Sequence, residues 1–245
     1  MFYMFGDSFS IPESHKTEVF GPDGKSVTYL PLEKSWTTLV NEEFFRDSEI
    51  VSDAVLGCSN DYIYQQICIR ESSFKKGDYV LVQLTSLHRE WFFKDKPYLS
   101  STHNLLGNLD QLDSSITKEQ QTALQMYMQY LHSDHRLILH YNAILDAINF
   151  RTKLYGEHGV RCLILPGFHN VPGVQGNLSE VSGLEFDCEK TALEYYDKTG
   201  DMRFNHFSEV NHKILANKVI NFFKTGEIVD LTSGFEKGMY AKEDI

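Results

Sequence analysis

The chain has 245 residues, 42% of them hydrophobic and 23% charged, with a net charge of −11. This is ordinary globular usage, enough for one sizeable core (two small domains are the alternative), so disorder is not the default. The negative balance disfavours nucleic acid and anionic membranes as partners, since both require basic patches and no Lys/Arg cluster escapes the average.

No apolar stretch approaches the ~20 residues that a membrane span requires. No basic segment precedes the first apolar run, so a signal peptide is not expected. The expected compartment is the cytoplasm, although a protein carried on a phage particle would equally lack a signal. The four cysteines, Cys58, Cys68, Cys162 and Cys188, form no C-x-x-C pair and are too few for a disulfide framework in a chain of this size. Cys162 lies within an apolar run and reads as a small core residue.

The first element is an unbroken apolar run, Met1-Phe2-Tyr3-Met4-Phe5, stopped by Gly6-Asp7-Ser8. Such a run predicts a buried strand, and the glycine ends it. In an open α/β fold that strand delivers Ser8 to the carboxyl edge of the sheet, where ligands bind. A serine on a tight turn there becomes a nucleophile if a base reaches it. The plainer alternative is a Ser/Asp cap on the next turn of helix. Residues 11–34 read as loop, punctuated by Pro12, Gly21-Pro22-Asp23-Gly24 and Pro31, with a short hairpin over 19–29.

A helix follows from a Ser35 cap, with Trp36, Leu39, Val40 and Phe44 inward and Glu42 and Glu43 outward. Residues 49–56 predict a second strand, ending at Gly57-Cys58-Ser59-Asn60, and 61–70 a helix with Tyr62, Ile63 and Ile67 on one side. The clearest strand is 79–84, Tyr-Val-Leu-Val-Gln-Leu, followed by Thr85-Ser86-Leu87-His88-Arg89-Glu90-Trp91. Residues 92–117 read as a loop insertion. Its aromatics, with Trp91, either line a substrate channel or simply pack on the core.

From 118 to 155 runs a long helical pattern whose stripe is Leu124, Met128, Leu131, Ile138, Tyr141, Leu145 and Ile148. One kinked helix or two helices fit it, with the break near Ser133-Asp134. His132 and His135 share a face at this spacing, but no convincing third ligand follows, so no metal site is expected. A strand over 160–165 ends at Pro166-Gly167, and 166–190 is loop-rich. A helix starts at Ser208, with Ile214, Leu215, Val219 and Phe222 inward, which leaves His206 just ahead of its first turn. The residues from 226 to 245 read as a polar tail behind a single domain of 1–225. The βα alternation predicts a mostly parallel sheet with helices on both faces.

Gly6-Asp7-Ser8, the strand–Gly57–helix unit, the segment after the 79–84 strand and the His206 helix occur in an order that resembles the blocks of the SGNH (GDSL-type) hydrolases, a family of esterases and lipases. The resemblance implies a three-layer α/β/α flavodoxin-like fold and ester hydrolysis through an acyl-enzyme. Ser8 would attack the carbonyl and His206 would move the proton, as an imidazole with an unperturbed pKa of ~6.5 does well near neutrality. It implies an oxyanion hole from the backbone N–H groups of Ser8 and Gly57. Two blocks depart from the family pattern. Where Gly-x-Asn-Asp is usual, Leu84 replaces the glycine and Ser86 the asparagine, so the side-chain oxyanion donor is Asn60 or Ser86. Where the family's aspartate precedes the histidine by three residues stands Arg203. Asp201 is then the tentative third member, or a backbone carbonyl holds the ring and leaves a Ser–His dyad. No metal or organic cofactor is implied, and the substrates would be small acyl esters, such as O-acetyl groups on carbohydrate. An acyltransferase on the same fold, or an inactive domain that binds glycan or protein, are the rival readings.

Overall fold

The computed structural model describes residues 1–11, 18–20, 26–28, 34–46, 50–55, 58–90, 117–178 and 209–235. Its centre is a four-stranded parallel sheet. Strand β1 (Phe2–Phe5) comes first, and β2 (Glu18–Phe20) and β3 (Ser26–Thr28) form a separate antiparallel pair that begins one residue ahead of the expected 19–29 region. Helix α1 (Trp36–Phe45), strand β4 (Val51–Ser52), helix α2 (Asn60–Arg70) and strand β5 (Tyr79–Gln83) follow. Then come helices α3 (Lys118–Tyr130) and α4 (Asp134–Glu157), strands β6 (Arg161–Leu165) and β7 (Val174–Gln175), helix α5 (Glu209–Thr225) and strand β8 (Val229–Asp230).

The sheet order is β4-β1-β5-β6. Counting only these strands in chain order, it is 2-1-3-4, the flavodoxin-like sequence, whose direction of winding reverses between β1 and β5. Their register sets Phe2 opposite Tyr79 and Phe5 opposite Val82, and β5 continues to β6 with Val82 opposite Ile164. β4 is shorter than the 49–56 expected from sequence, but Asp53 N–H to Met4 O and Val55 N–H to Gly6 O carry its backbone along β1.

Period-two alternation sorts the strands onto two apolar layers. Phe2, Met4, Leu81, Leu163 and Leu165 pack with Trp36 and Val40 of α1 and with Leu215, Val219 and Phe223 of α5. Tyr3, Phe5, Val80 and Val82 pack with Ile63 and Ile67 of α2 and with Tyr141, Ile144 and Ile148 of α4. The protein is therefore a three-layer α/β/α domain. Local chemistry marks the helix starts: Ser35, Ser59 and Ser133 each accept a backbone N–H of the first turn, and Thr117 with Gln120 forms a capping box.

Of the two readings of the 118–155 pattern, two helices with the break at Ser133 is the one observed. Three sequence expectations require correction, the first because the Ser133 start resets the helical phase. Leu131 and Ile138 therefore lie exposed, and Leu137 takes an inward position ahead of Tyr141. His135, expected on the stripe, is exposed as well. The segment after 225 is not tail throughout: Val229 and Leu231 are buried in the α1/α5 layer, and β8 pairs with β7 in parallel. Among the described residues no helix is long and apolar enough to cross a membrane.

Candidate functional site

The carboxyl ends of β1, β5 and β6 converge at one edge of the sheet. From β1 the chain passes through Gly6 and Asp7 into a 3₁₀ turn, Ser8–Ser10, which begins at the Ser8 backbone. Asp7 caps this turn, its Oδ1 accepting from Phe9 N–H at 3.0 Å. The capping alternative seen in the sequence is thus real, and Asp7 rather than Ser8 performs it.

Asp7 is fully buried, and a carboxylate taken from water requires both charge compensation and hydrogen bonds. It has them on its other oxygen. Thr85 Oγ1 donates to Oδ2 at 2.7 Å and Arg89 Nη1 donates to it at 2.6 Å. Arg89 Nη1 also lies 2.7 Å from Thr85 Oγ1, so carboxylate, hydroxyl and guanidinium close a ring. Thr85 and Arg89 belong to the loop leaving β5, and the ring ties that loop to the turn leaving β1. Gln83, the last residue of β5, reinforces the tie. Its Oε1 accepts from Asp7 N–H at 3.1 Å and from Ser10 Oγ at 2.7 Å.

This packing explains Gly6. A Cβ there would stand 2.1 Å from Ser10 Oγ and 2.9 Å from Gln83 Oε1. Gly167, two residues beyond β6, meets the same condition against backbone: its Cβ would lie 2.0 Å from the Leu84 carbonyl oxygen. The next residue, Phe168, sets its ring edge to that of Phe9, centroids 6.1 Å apart, with the Arg89 guanidinium 5.7 Å from its ring centre. Phe168 of the β6 exit thus touches Phe9 of the β1 exit and Arg89 of the β5 exit, and Arg89 in turn reaches Asp7.

Asn60 and Ser86, the two candidate oxyanion donors, are brought together beside this ring. Asn60 opens α2 and is 3% exposed. Its Oδ1 accepts from Thr85 N–H at 2.9 Å, and its Nδ2 donates to Thr85 O at 3.2 Å and to Ser86 O at 3.4 Å. Both amide protons are directed at backbone, so Asn60 acts as a strut between α2 and the β5 exit. Ser86 Oγ accepts from His88 N–H at 3.2 Å, and its own proton has no acceptor among the described residues. Cys58 places its Sγ 3.3 Å from the Gly6 carbonyl, which Val55 N–H also reaches. Burial, with Asp7 adding to it, pushes the Cys58 thiol well above the usual range, so it stays protonated and unreactive. Gly57, Asp201, His206 and the side chain of Ser8 lie outside the described residues, as do the aromatics Trp91, Phe92, Phe93 and Tyr98.

A second group of polar side chains follows the loop outward. Glu90 Oε1 accepts from Tyr127 Oη at 2.6 Å, and His132 Nδ1 lies 3.5 Å from Glu90 Oε2. Burial and this carboxylate push the Tyr127 phenol up to about 12. His132 thus faces a carboxylate rather than His135, and among the described residues no cluster of three or more His, Cys, Asp or Glu is placed to hold a metal ion. His140 pairs separately with Asp61 at 2.6 Å.

Sequence reasoning overlooked the partners of Asp7. Gln83 carried a signal, a polar side chain inside an otherwise apolar strand. Thr85 and Arg89 carried none, because Arg89 meets Asp7 across 82 residues of chain. No family model matches this chain, and no curated protein matches it.

Proposed function

We propose that the protein is a serine ester hydrolase of the SGNH type. The observation that carries the reading is the position of the Gly-Asp-Ser turn. It leaves β1 at the point where the winding of the sheet reverses, and buried Asp7 locks it to the β5 exit. A turn fixed in this way holds the backbone of the residue after Asp7, the condition for a nucleophile that must meet its substrate in one orientation.

In the proposed reaction Ser8 Oγ adds to the ester carbonyl as His206 takes its proton. The tetrahedral oxyanion is held by the backbone N–H groups of Ser8 and Gly57. Ser86 is the side-chain donor of choice, because Asn60 has committed both amide protons to Thr85 and Ser86 carbonyls. The imidazolium then protonates the departing alkoxide, leaving an acyl-serine. Water attacks the acyl group with His206 as base, and as the acyl–Oγ bond breaks the imidazolium returns that proton to Ser8 Oγ, releasing the carboxylic acid and the free enzyme. Asp201 orients the imidazole. The substrates are small acyl esters, with O-acetylated carbohydrate as the candidate class.

The test is hydrolysis of p-nitrophenyl acetate by the full chain. Ser8→Ala and His206→Ala are each expected to lower kcat/KM by at least about 10³-fold while folding normally. Equal rates in wild type and Ser8→Ala would overturn the proposal.

A further inference from the structure

Tyr141 and His169 come from elements distant in sequence. Tyr141 lies in the N-terminal part of α4, and His169 in the loop that follows β6. Their rings meet edge to face, with centroids 5.5 Å apart. Tyr141 is 7% exposed, yet its Oη has no hydrogen-bond partner among the described residues, and neither has His169 Nε2, a second buried atom. Buried hydroxyls and ring nitrogens are nearly always paired, because an unmade bond forfeits the hydration of the group and returns nothing. Two such atoms on one pair of touching rings call for a partner beyond the described residues, and a bound ligand would supply it.

Their place in the fold says the same. Helix α4 runs back along the sheet to the start of β6, so its N-terminal part lies toward the carboxyl edge, the side to which the β6 exit also belongs. Open α/β sheets bind ligands at that edge. Phe168, adjacent to His169, contacts Phe9 of the Ser8–Ser10 turn.

The geometry points to a polar subsite in which Tyr141 Oη and His169 Nε2 together hold a hydroxyl group of an uncharged polyhydroxylic ligand. Burial pushes the Tyr141 phenol up to about 12. Burial, and then the neighbouring His88, pushes the His169 imidazole down. Both side chains are therefore neutral near pH 7, and each is able to donate or to accept. A ligand hydroxyl does both as well and matches the pair. An anion only accepts, so it uses half of what the pair offers, and it would bring an uncompensated charge into a buried place. The nearby cation, Arg89, is already committed to Asp7. The subsite concerns binding alone and does not depend on the chemistry proposed for Ser8.

The experiment follows the ring signal of His169 by NMR in histidine-labelled full-length protein, with the signal assigned by its loss in His169→Gln. Glycerol and methyl β-D-glucopyranoside are added as uncharged polyols, and sodium phosphate as the anion. The expected result is a saturable shift with at least one polyol, binding at least tenfold weaker in Tyr141→Phe, and no saturable shift with phosphate. Tyr141→Phe removes an oxygen that holds nothing within the described fold, so its melting temperature should equal or exceed that of wild type. Misfolding then does not explain weaker binding. No saturable shift with either polyol would mean that the pair holds only water and would overturn the inference. Undiminished binding by Tyr141→Phe, or saturation by phosphate alone, would overturn it equally. Loss of ester hydrolysis in Ser8→Ala, or its persistence, bears only on the earlier proposal.

Discussion

The exits of β1 and β6 lie on the same edge of one sheet, yet their hydrogen-bonding conditions are opposite. At the β1 exit the Asp7 carboxylate receives Phe9 N–H, Thr85 Oγ1 and Arg89 Nη1, and Gln83 holds Asp7 N–H and Ser10 Oγ. Beyond the β6 exit, His169 and its ring neighbour Tyr141 each keep a buried polar atom without a partner among the described residues. A closed network defines one conformation and has little left to offer a ligand. An open pair is ready to bind and contributes nothing to rigidity. The contrast assigns the first exit to positioning and the second to recognition.

The largest way to break the contrast is to open the closed network. Arg89→Ala leaves the Asp7 carboxylate buried with its charge partner gone, and the expected loss is about 3–5 kcal/mol of folding stability. Asp7→Asn in the same chain removes the stranded charge and should recover much of that loss. Urea unfolding of the two single variants and the double variant measures this coupling, and simple additivity would contradict it. A smaller effect is expected where the exits touch. Gly167→Ala drives a Cβ to 2.0 Å from the Leu84 carbonyl oxygen, a backbone atom that cannot rotate away. It should cost about 1–3 kcal/mol and separate the β5 and β6 exits. Unchanged unfolding midpoints would show that the close approach is not required.

The smallest effect sharpens the open side. Because burial and His88 depress the native His169 pKa, the unfolded chain takes up a proton below about pH 6.5 before the folded protein does. Stability should therefore fall as the pH drops from 6.5 through the lower native value, and be free of this contribution above 6.5. His169→Gln should flatten that part of the profile. Urea midpoints measured across this range in both proteins check it, and identical slopes would contradict it.

What the sequence disclosed, and what it hid, follows the range of the interactions. β1, β5 and β6 are apolar runs bounded by turn residues, and the Ser35 cap marks α1, so local patterning sufficed for much of the layers. The reversal of winding at β1 and β5 was implied by family resemblance, and backbone pairing supplies it here. β8 escaped notice because Val229 and Leu231 sit among Glu, Asp, Thr and Ser, and only pairing with distant β7 gives them a role. Leu131 and Ile138 were misassigned since a single stripe was drawn through a break that shifts the helical phase. Ser8 and Asp7 were conspicuous as a motif. The division of labour between them was not, because the groups that hold Asp7 arrive from the β5 exit, 76 to 82 residues along the chain. Tyr141 looked like any other inward residue of a helix, and nothing local reveals that its hydroxyl lacks a partner among the described residues.

The most direct measurement of the central claim is covalent trapping. The full-length protein is treated with a fluorophosphonate, which reacts with activated serines, and the adduct is located by peptide mass spectrometry. The account predicts a single adduct on Ser8 that is absent from Ser8→Ala. An adduct on another residue, or none at all, would contradict it.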